Sequence, residues 1–153
     1  MPDACRIRPA LPQDEAQWRI LWDAYNRFYE AIVSPSATNA TWARILDEGS
    51  AIGCLVAEET RSGTLQGFAT YIIHPRTWSE RDTCYMEDLY VDAAMRGRGT
   101  GKQLCLALKT LCAARGLSQI YWNTRESNHA ARALYDRIAA RDDFVRYVMR
   151  LET

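Results

Sequence analysis

Two adjacent carboxylates, Glu87 and Asp88, stand inside the run Tyr85-Met86-Glu87-Asp88-Leu89-Tyr90-Val91. A β-strand sends neighbouring side chains to opposite faces, usually one apolar and one polar. Consecutive carboxylates between Met86 and Leu89 break that alternation. Either they form a bulged or edge-facing pair held by ion partners, or one of them is a general base in a cleft. On the second reading Glu87 takes a proton from an ammonium, directly or through water. Desolvation would raise its pKa toward a useful value. Asp88 would orient the substrate or support the bulge.

A glycine-rich stretch with two arginines follows, Arg96-Gly97-Arg98-Gly99-Thr100-Gly101. Glycines let successive backbone N–H groups converge on one point without Cβ obstruction. A helix opening there adds the positive end of its dipole, which suits a pyrophosphate. Arg96 and Arg98 either pair phosphates or are solvated. Thr100 either caps the helix or donates its hydroxyl, and Lys102 reads as a surface charge in the same region. A phosphate cradle beside a base implies a cofactor-dependent transfer. Two glycine motifs are excluded. A P-loop requires Gly-Lys-Ser/Thr, but Gly101-Lys102 is followed by Gln103, and Arg96 stands where the first glycine should be. A dinucleotide fingerprint requires a third glycine where Lys102 stands, and an early position in the chain.

The elements that must position these groups read as follows. Strands are expected at 5–8, 51–58, 67–74, Thr83–Val91, 119–124 and 144–151. Helices are expected at 13–33, 39–47, 99–115 and 128–138, from apolar periodicity such as Leu104, Leu108 and Leu111. Ser34-Pro35-Ser36 reads as a breaker. Three consecutive strands followed by a βαβαβ run give a mixed α/β (α+β) chain with a helix-flanked sheet. No repeat, low-complexity tract or linker divides it, so one domain over 1–153 is expected.

Arg96, Gly99 and Gly101 satisfy Arg/Gln-x-x-Gly-x-Gly/Ala, and Asn128-His129-Ala130-Ala131-Arg132-Ala133-Leu134-Tyr135 has the form N-x-x-A-x-x-L-Y. Together, in this order, they resemble the GNAT acetyltransferase superfamily. The runs from His74-Pro75 to Val91 and from Tyr121-Trp122 to Asn128 look most like the subgroup of yeast histone and D-amino-acid acetyltransferases. The resemblance implies a mostly antiparallel sheet splayed between its fourth and fifth strands. Acetyl-CoA would lie there on Leu89, Tyr90, Val91, residues 96–102 (including Gly97), Asn128 and Tyr135. It implies an N-acetyltransferase in which a primary amine attacks the thioester directly, Glu87 assists deprotonation and Tyr135 reprotonates the thiolate. Against this, Tyr135 reads as a core residue on the face of Ala131, Leu134 and Ile138, and Asn128 as a helix N-cap. The aromatic residues Trp22, Tyr25, Phe28, Tyr29, Trp42 and Trp78 either fill the core or line an acceptor pocket. Tyr29 and Trp78, with Glu87 and Asp88, are the substrate-side candidates. One departure is the glycine-free Ala139-Ala140-Arg141-Asp142-Asp143-Phe144, where most relatives have Gly-Phe. A small-molecule amine is the expected acceptor. A lysine-peptide acetyltransferase and a non-catalytic acyl-CoA-binding module are the alternatives, and a homodimer or higher homo-oligomer is expected.

Bulk composition limits other roles. The chain has 153 residues, 48% hydrophobic and 25% charged, with 19 basic and 19 acidic side chains. Zero formal charge and no basic stripe argue against nucleic-acid binding. The longest apolar stretch, 51–57, is far too short for a bilayer, and the first fifteen residues lack an apolar leader core, so a cytoplasmic protein is expected. Five cysteines without C-x-x-C spacing read as reduced, buried thiols, with an acetylated cysteine intermediate as the lesser reading. Two histidines without ligand spacing predict no metal.

Overall fold

The computed structural model describes residues 4–152. The chain divides into two compact units, the first ending at Trp122 and the second beginning at Asn123. In the first, strands β1 (Cys5–Pro9), β2 (Ile52–Glu59), β3 (Leu65–His74), β4 (Thr83–Val91) and β5 (Ile120–Tyr121) form one sheet in the order β1-β2-β3-β4-β5. The first four pair antiparallel; β4 and β5 pair parallel. Helices α1 (Glu15–Phe28), α2 (Pro35–Leu46) and α3 (Thr100–Ala114) flank this sheet. The mixed, mostly antiparallel architecture is the expected one.

The β4–β5 ladder contains only Cys84↔Ile120 and Tyr85↔Tyr121. β4 runs on to Val91, still paired with β3 on its other side. Beyond Tyr85 its outer edge therefore has no strand partner among the described residues, which is the expected splay.

One face of the sheet is closed by aromatic packing. Trp18 and Phe68 are fully buried, and the Trp18 ring lies 5.3 Å from Trp22 and 4.9 Å from Trp42. Val56, Cys54 and Tyr90 complete that cluster. Trp22 and Trp42 thus belong to the core, not to a pocket. Burying an aromatic ring stabilises by roughly 2–3 kcal/mol, so this cluster anchors α1 and α2 on the sheet. Leu104, Leu108 and Cys112 of α3 are also buried.

Helix ends differ from the sequence reading for identifiable reasons. α1 stops at Phe28, short of 33, because Glu30 takes a left-handed backbone (φ 54°) and Ala31 N–H bonds back to Asn26 O at 2.9 Å. Ser34-Pro35 does not break the chain but starts α2. The Ser34 hydroxyl accepts from Ala37 N–H at 3.1 Å, and Pro35 occupies the first turn, where no N–H is needed.

The second unit, described by itself, contains α4 (His129–Ile138). Ala131, Leu134, Tyr135 and Ile138 are partly buried along one stripe, while Ala130, Ala133, Asp136 and Arg137 are exposed. The strand expected at 144–151 is absent. A strand exists through its ladder, and residues 144–151 join none among those described. Phe144, Tyr147 and Met149 are 76%, 91% and 89% exposed.

At the other end of the chain, Arg8 ties β1 to the entry of α1. Its guanidinium donates to both Asp14 oxygens at 2.7 and 2.9 Å and to Glu58 at 2.7 Å. Burial pushes the Asp14 carboxyl up, but the Arg8 bonds and the Leu11 N–H win and hold it below its usual value. Arg8→Ala would leave the buried Asp14 charge uncompensated. The expected loss is roughly 3 kcal/mol of stability at neutral pH, read by urea denaturation. A shift under about 0.5 kcal/mol would show that water replaces Arg8 there.

Candidate active site

The adjacent carboxylates are separated by a β-bulge. Thr70 pairs with Asp88 and Tyr71 with Met86, so Glu87 has no partner on β3. Bulges re-aim side chains, and this one places Tyr85, three residues from Asp88, on the same sheet face. Partners share a face across a ladder, and Ile72, Thr70 and Phe68 alternate along β3 opposite Tyr85, Asp88 and Tyr90. That face is the one closed by α1.

Burial divides the pair unevenly. The sequence reading placed the desolvated carboxylate at Glu87, but Glu87 is exposed and Asp88 is 8% exposed. Burial pushes the Asp88 carboxyl up to about 6, while hydrogen bonding from Tyr25 restrains the rise and the Glu87 charge adds to it. Thr70 also restrains it, although its buried hydroxyl completes no well-formed hydrogen bond of its own. Tyr25, desolvated and facing Asp88, has its phenol pKa raised well above the ordinary value and stays protonated. Tyr29 packs on Tyr25 at 5.0 Å and is partly buried. Trp78 is 80% exposed in the loop after β3.

The glycine turn leads directly from β4 through a single 3₁₀ turn (Ala93–Met95) into α3. Gly97 and Gly99 both hold left-handed backbones, φ 80° and 82°, and the space a Cβ would occupy is open at each. Gly99 is the helix N-cap and has no side chain to cap with. The N–H groups of Thr100, Gly101 and Lys102 consequently have no intrahelical acceptor. Thr100 is buried at the first helical position rather than capping. Arg98 and Lys102 are exposed. Arg96 is exposed as well, but its guanidinium is engaged by neighbouring groups. Its Nε donates to Val91 O at 3.1 Å, and its guanidinium lies 5.6 Å from the Phe28 ring and 5.5 Å from the Tyr90 ring. Leu89 and Val91 are half-buried along the strand edge that precedes the turn.

In the second unit Asn128 caps α4: its Oδ1 accepts from Ala131 N–H at 3.4 Å and its Nδ2 donates to Thr124 Oγ1 at 3.3 Å. Tyr135 is half-buried in α4. Cys54, Cys84, Cys105 and Cys112 are buried, and desolvation raises all four thiols, Cys105 to about 11. Thiols so shifted are not nucleophiles at neutral pH, which disfavours a cysteine intermediate. No group of three or more His, Cys, Asp or Glu side chains fit to hold a metal occurs among the described residues. No described helix is long and apolar enough to cross a membrane.

The chain belongs to the acetyltransferase (GNAT) family, whose sequence profile matches residues 18–139, and it is an N-acetyltransferase. It is 32% identical to the D-amino-acid N-acetyltransferase HPA3 of Saccharomyces cerevisiae over 145 residues, 95% of this chain and 90% of that one. It is 32% identical over 95 residues to the thialysine N-epsilon-acetyltransferase of Sus scrofa, 58% of this chain and 55% of that one. Its fold is also that of AAC(6')-Iy in complex with a bisubstrate analogue of CoA, with TM-score 0.81, 18% identity, and 98% and 99% of the two chains covered.

Two features escaped the sequence reading. One is the placement of Arg96 over Phe28 and Tyr90, which joins residues far apart in the chain. The other is the burial of Asp88, visible only once the bulge sets the register. Asp88→Asn offers a test of the second. The folded carboxyl binds its proton more tightly than the unfolded one, so the wild type loses stability as pH rises from about 4 through 6. The variant lacks that loss. It should be more stable than wild type by on the order of 2–3 kcal/mol at pH 7.5 and about equal at pH 4, by urea denaturation at both. A constant difference at the two pH values would contradict the burial of a charge at Asp88.

Proposed function

We propose that this N-acetyltransferase uses acetyl-CoA and transfers its acetyl group to a primary amine of a small molecule, in one step within a ternary complex. The observation that carries the reading is the continuity of β4. Past its last rung with β5, one strand has an outer edge with no strand partner among the described residues, carries both carboxylates, and enters a helix whose first N–H groups have no intrahelical acceptor. Leu89, Tyr90 and Val91 would hold the pantetheine along that edge. The N–H groups of residues 97–102 would hold the pyrophosphate, with Arg96 and Arg98 supplying charge. When bound, acetyl-CoA supplies a thioester carbonyl open to attack by a neutral amine.

The chain's own residues do the rest. Exposed Glu87 accepts the ammonium proton, directly or through water, before the nitrogen attacks. Backbone N–H groups would steady the charge that develops on the carbonyl oxygen. Tyr135 would give its phenolic proton to the departing sulfur, and Asn128 would bond the pantetheine or its amide. Buried Asp88, with Tyr29 and Trp78, orients the amine. The family profile runs from residue 18 to 139 and so crosses both compact units, which supports reading 1–153 as one catalytic domain. The exposed apolar run Phe144–Leu151 supports self-association into a homodimer or larger homo-oligomer. A small molecule is favoured over a lysine peptide because the full-length yeast relative is named for amino-acid acetylation and the chain has no net charge.

Three variants test these roles. Gly101→Glu should remove acetyl-CoA binding, measured by calorimetry, with little loss of folding; unchanged affinity would refute the cradle. Tyr135→Phe should lower turnover roughly ten- to a thousandfold at unchanged acetyl-CoA affinity, and wild-type turnover would reduce Tyr135 to a packing residue. Glu87→Gln should cost more activity with strongly basic amines than with weakly basic ones, which are already partly neutral at pH 7. Equal losses across the acceptor series would make Glu87 structural.

A further inference from the structure

The apolar surface exposed after α4 has the pattern of a strand but joins no sheet among the described residues. Val145, Tyr147, Met149 and Leu151 alternate with Arg146, Val148 and Arg150. In an extended chain this puts four apolar side chains on one face and both cations on the other. Those four are 74–91% exposed, and Phe144 and Val148 are exposed beside them. Alternation of a dry face with a wet one marks a strand that covers apolar surface on one side only. What 144–151 lacks is a ladder to join.

The sheet has two outer strands, β1 and β5. Such edges are templates for pairing with another chain unless charge, proline or a cover blunts them. β1 is blunted. It carries Arg6 and Arg8, both paired with Glu58, and it ends at Pro9. β5 and its flanks read Leu117-Ser118-Gln119-Ile120-Tyr121-Trp122, with no charge and no proline. β4 lies on one side of β5, and no strand lies on the other among the described residues. One chain thus contains an unblunted sheet edge and a strand-like segment without a sheet.

Each supplies what the other lacks, and a second copy supplies both at once. We propose that residues 144–151 of one copy add as a strand to the outer edge of β5 of a second copy, and the reverse, in a strand-exchanged homodimer. This rests on the self-association proposed above and gives it a surface. Exchange about a two-fold axis satisfies both segments and both edges, and it closes. Six exposed apolar side chains offer on the order of 100 Å² each, or about 600 Å² per segment. Two segments, with the surfaces they cover, remove about 2,400 Å² from water, the size of an obligate dimer interface. An unrelated partner that took the segment alone would bury about half as much and leave β5 open. The zero formal charge of the chain sets no net repulsion between copies.

The test combines sedimentation velocity with amide hydrogen exchange on the full-length protein. The wild type should sediment as a dimer at micromolar concentration, with the amides of 144–151 slowed at least about a hundredfold relative to an unfolded chain. Tyr147→Lys combined with Met149→Lys puts two charges on the apolar face. It should raise the dimer dissociation constant at least about a hundredfold while β3 and β4 amides stay protected. Diluting the wild type until it dissociates should release 144–151 and spare β3 and β4. That reading needs no variant, so it decides the matter even if the double variant fails to fold. A monomeric wild type overturns the exchange and the self-association together. A dimer that survives the double substitution, or one whose 144–151 amides exchange at unfolded-chain rates, overturns the exchange and leaves self-association through another surface. A monomer with 144–151 protected pairs the segment within its own chain and overturns the exchange as well. Thiol release from acetyl-CoA, which reads the proposed chemistry, enters none of these outcomes.

Discussion

The bulge at Glu87 is the constraint on which the candidate site depends. Without it, Tyr85 and Asp88 would fall on opposite faces of the sheet, since they are three residues apart. The unpaired residue restores the phase, so Tyr85, Asp88 and Tyr90 all face α1. Glu87 itself is released from the ladder and exposed. One inserted residue thus produces two carboxylates in opposite environments from a consecutive pair: one in water and one beneath a tyrosine. Depth is what sets Asp88 apart, because burial raises its carboxyl.

The rest of the first unit serves to hold that strand still. Trp18, Trp22, Trp42 and Phe68 fix α1 and α2 on one face, and this brings Tyr25 over Asp88 and Phe28 beside Arg96. β3 pairs β4 from Thr83 to Val91 except at Glu87, while the other side of β4 has no strand partner beyond Tyr85 among the described residues. Gly67 shows how close that packing is: a Cβ there would meet Tyr90 O at 2.5 Å.

The glycine turn, β4 and α3 were legible in the sequence because each carries a local signal. Left-handed Gly97 and Gly99 are the residues that turn needs, and the leucines of α3 repeat at helical spacing. The end of α1 was not legible, because Glu30 in a left-handed conformation has no signature when glycine is the expected residue. The strand at 144–151 was misread for a different reason. Its residues have strand composition, but composition does not supply a ladder, and its apolar side chains remain exposed. The aromatic residues divided only in three dimensions. Trp22 and Trp42 fill the core, Tyr25 touches Asp88 and Trp78 stands in solvent. Periodicity on a helix names a face but not what lies against it. His74 and Tyr121 meet across 47 residues, a distance at which no local pattern operates.

Arg96 gives the two halves of the proposed chemistry a physical connection. It belongs to the glycine turn by sequence, yet its guanidinium rests on Phe28 at the end of α1 and on Tyr90, next to Asp88 on the same face. A cation–π contact at a partly exposed site is worth only about 0.5–1 kcal/mol. A phosphate oxygen forms a charge-assisted bond with a guanidinium that is stronger than such a contact. In the proposed complex an anion in the turn would therefore draw Arg96 off the rings, and Tyr90 lies on the same sheet face as Asp88. The small cost of that exchange means the turn can be occupied without disturbing the core, because Trp18 and Phe68, not Arg96, hold α1 in place. In the proposed reading, one side chain would then couple affinity for the anion to access to the aromatic face.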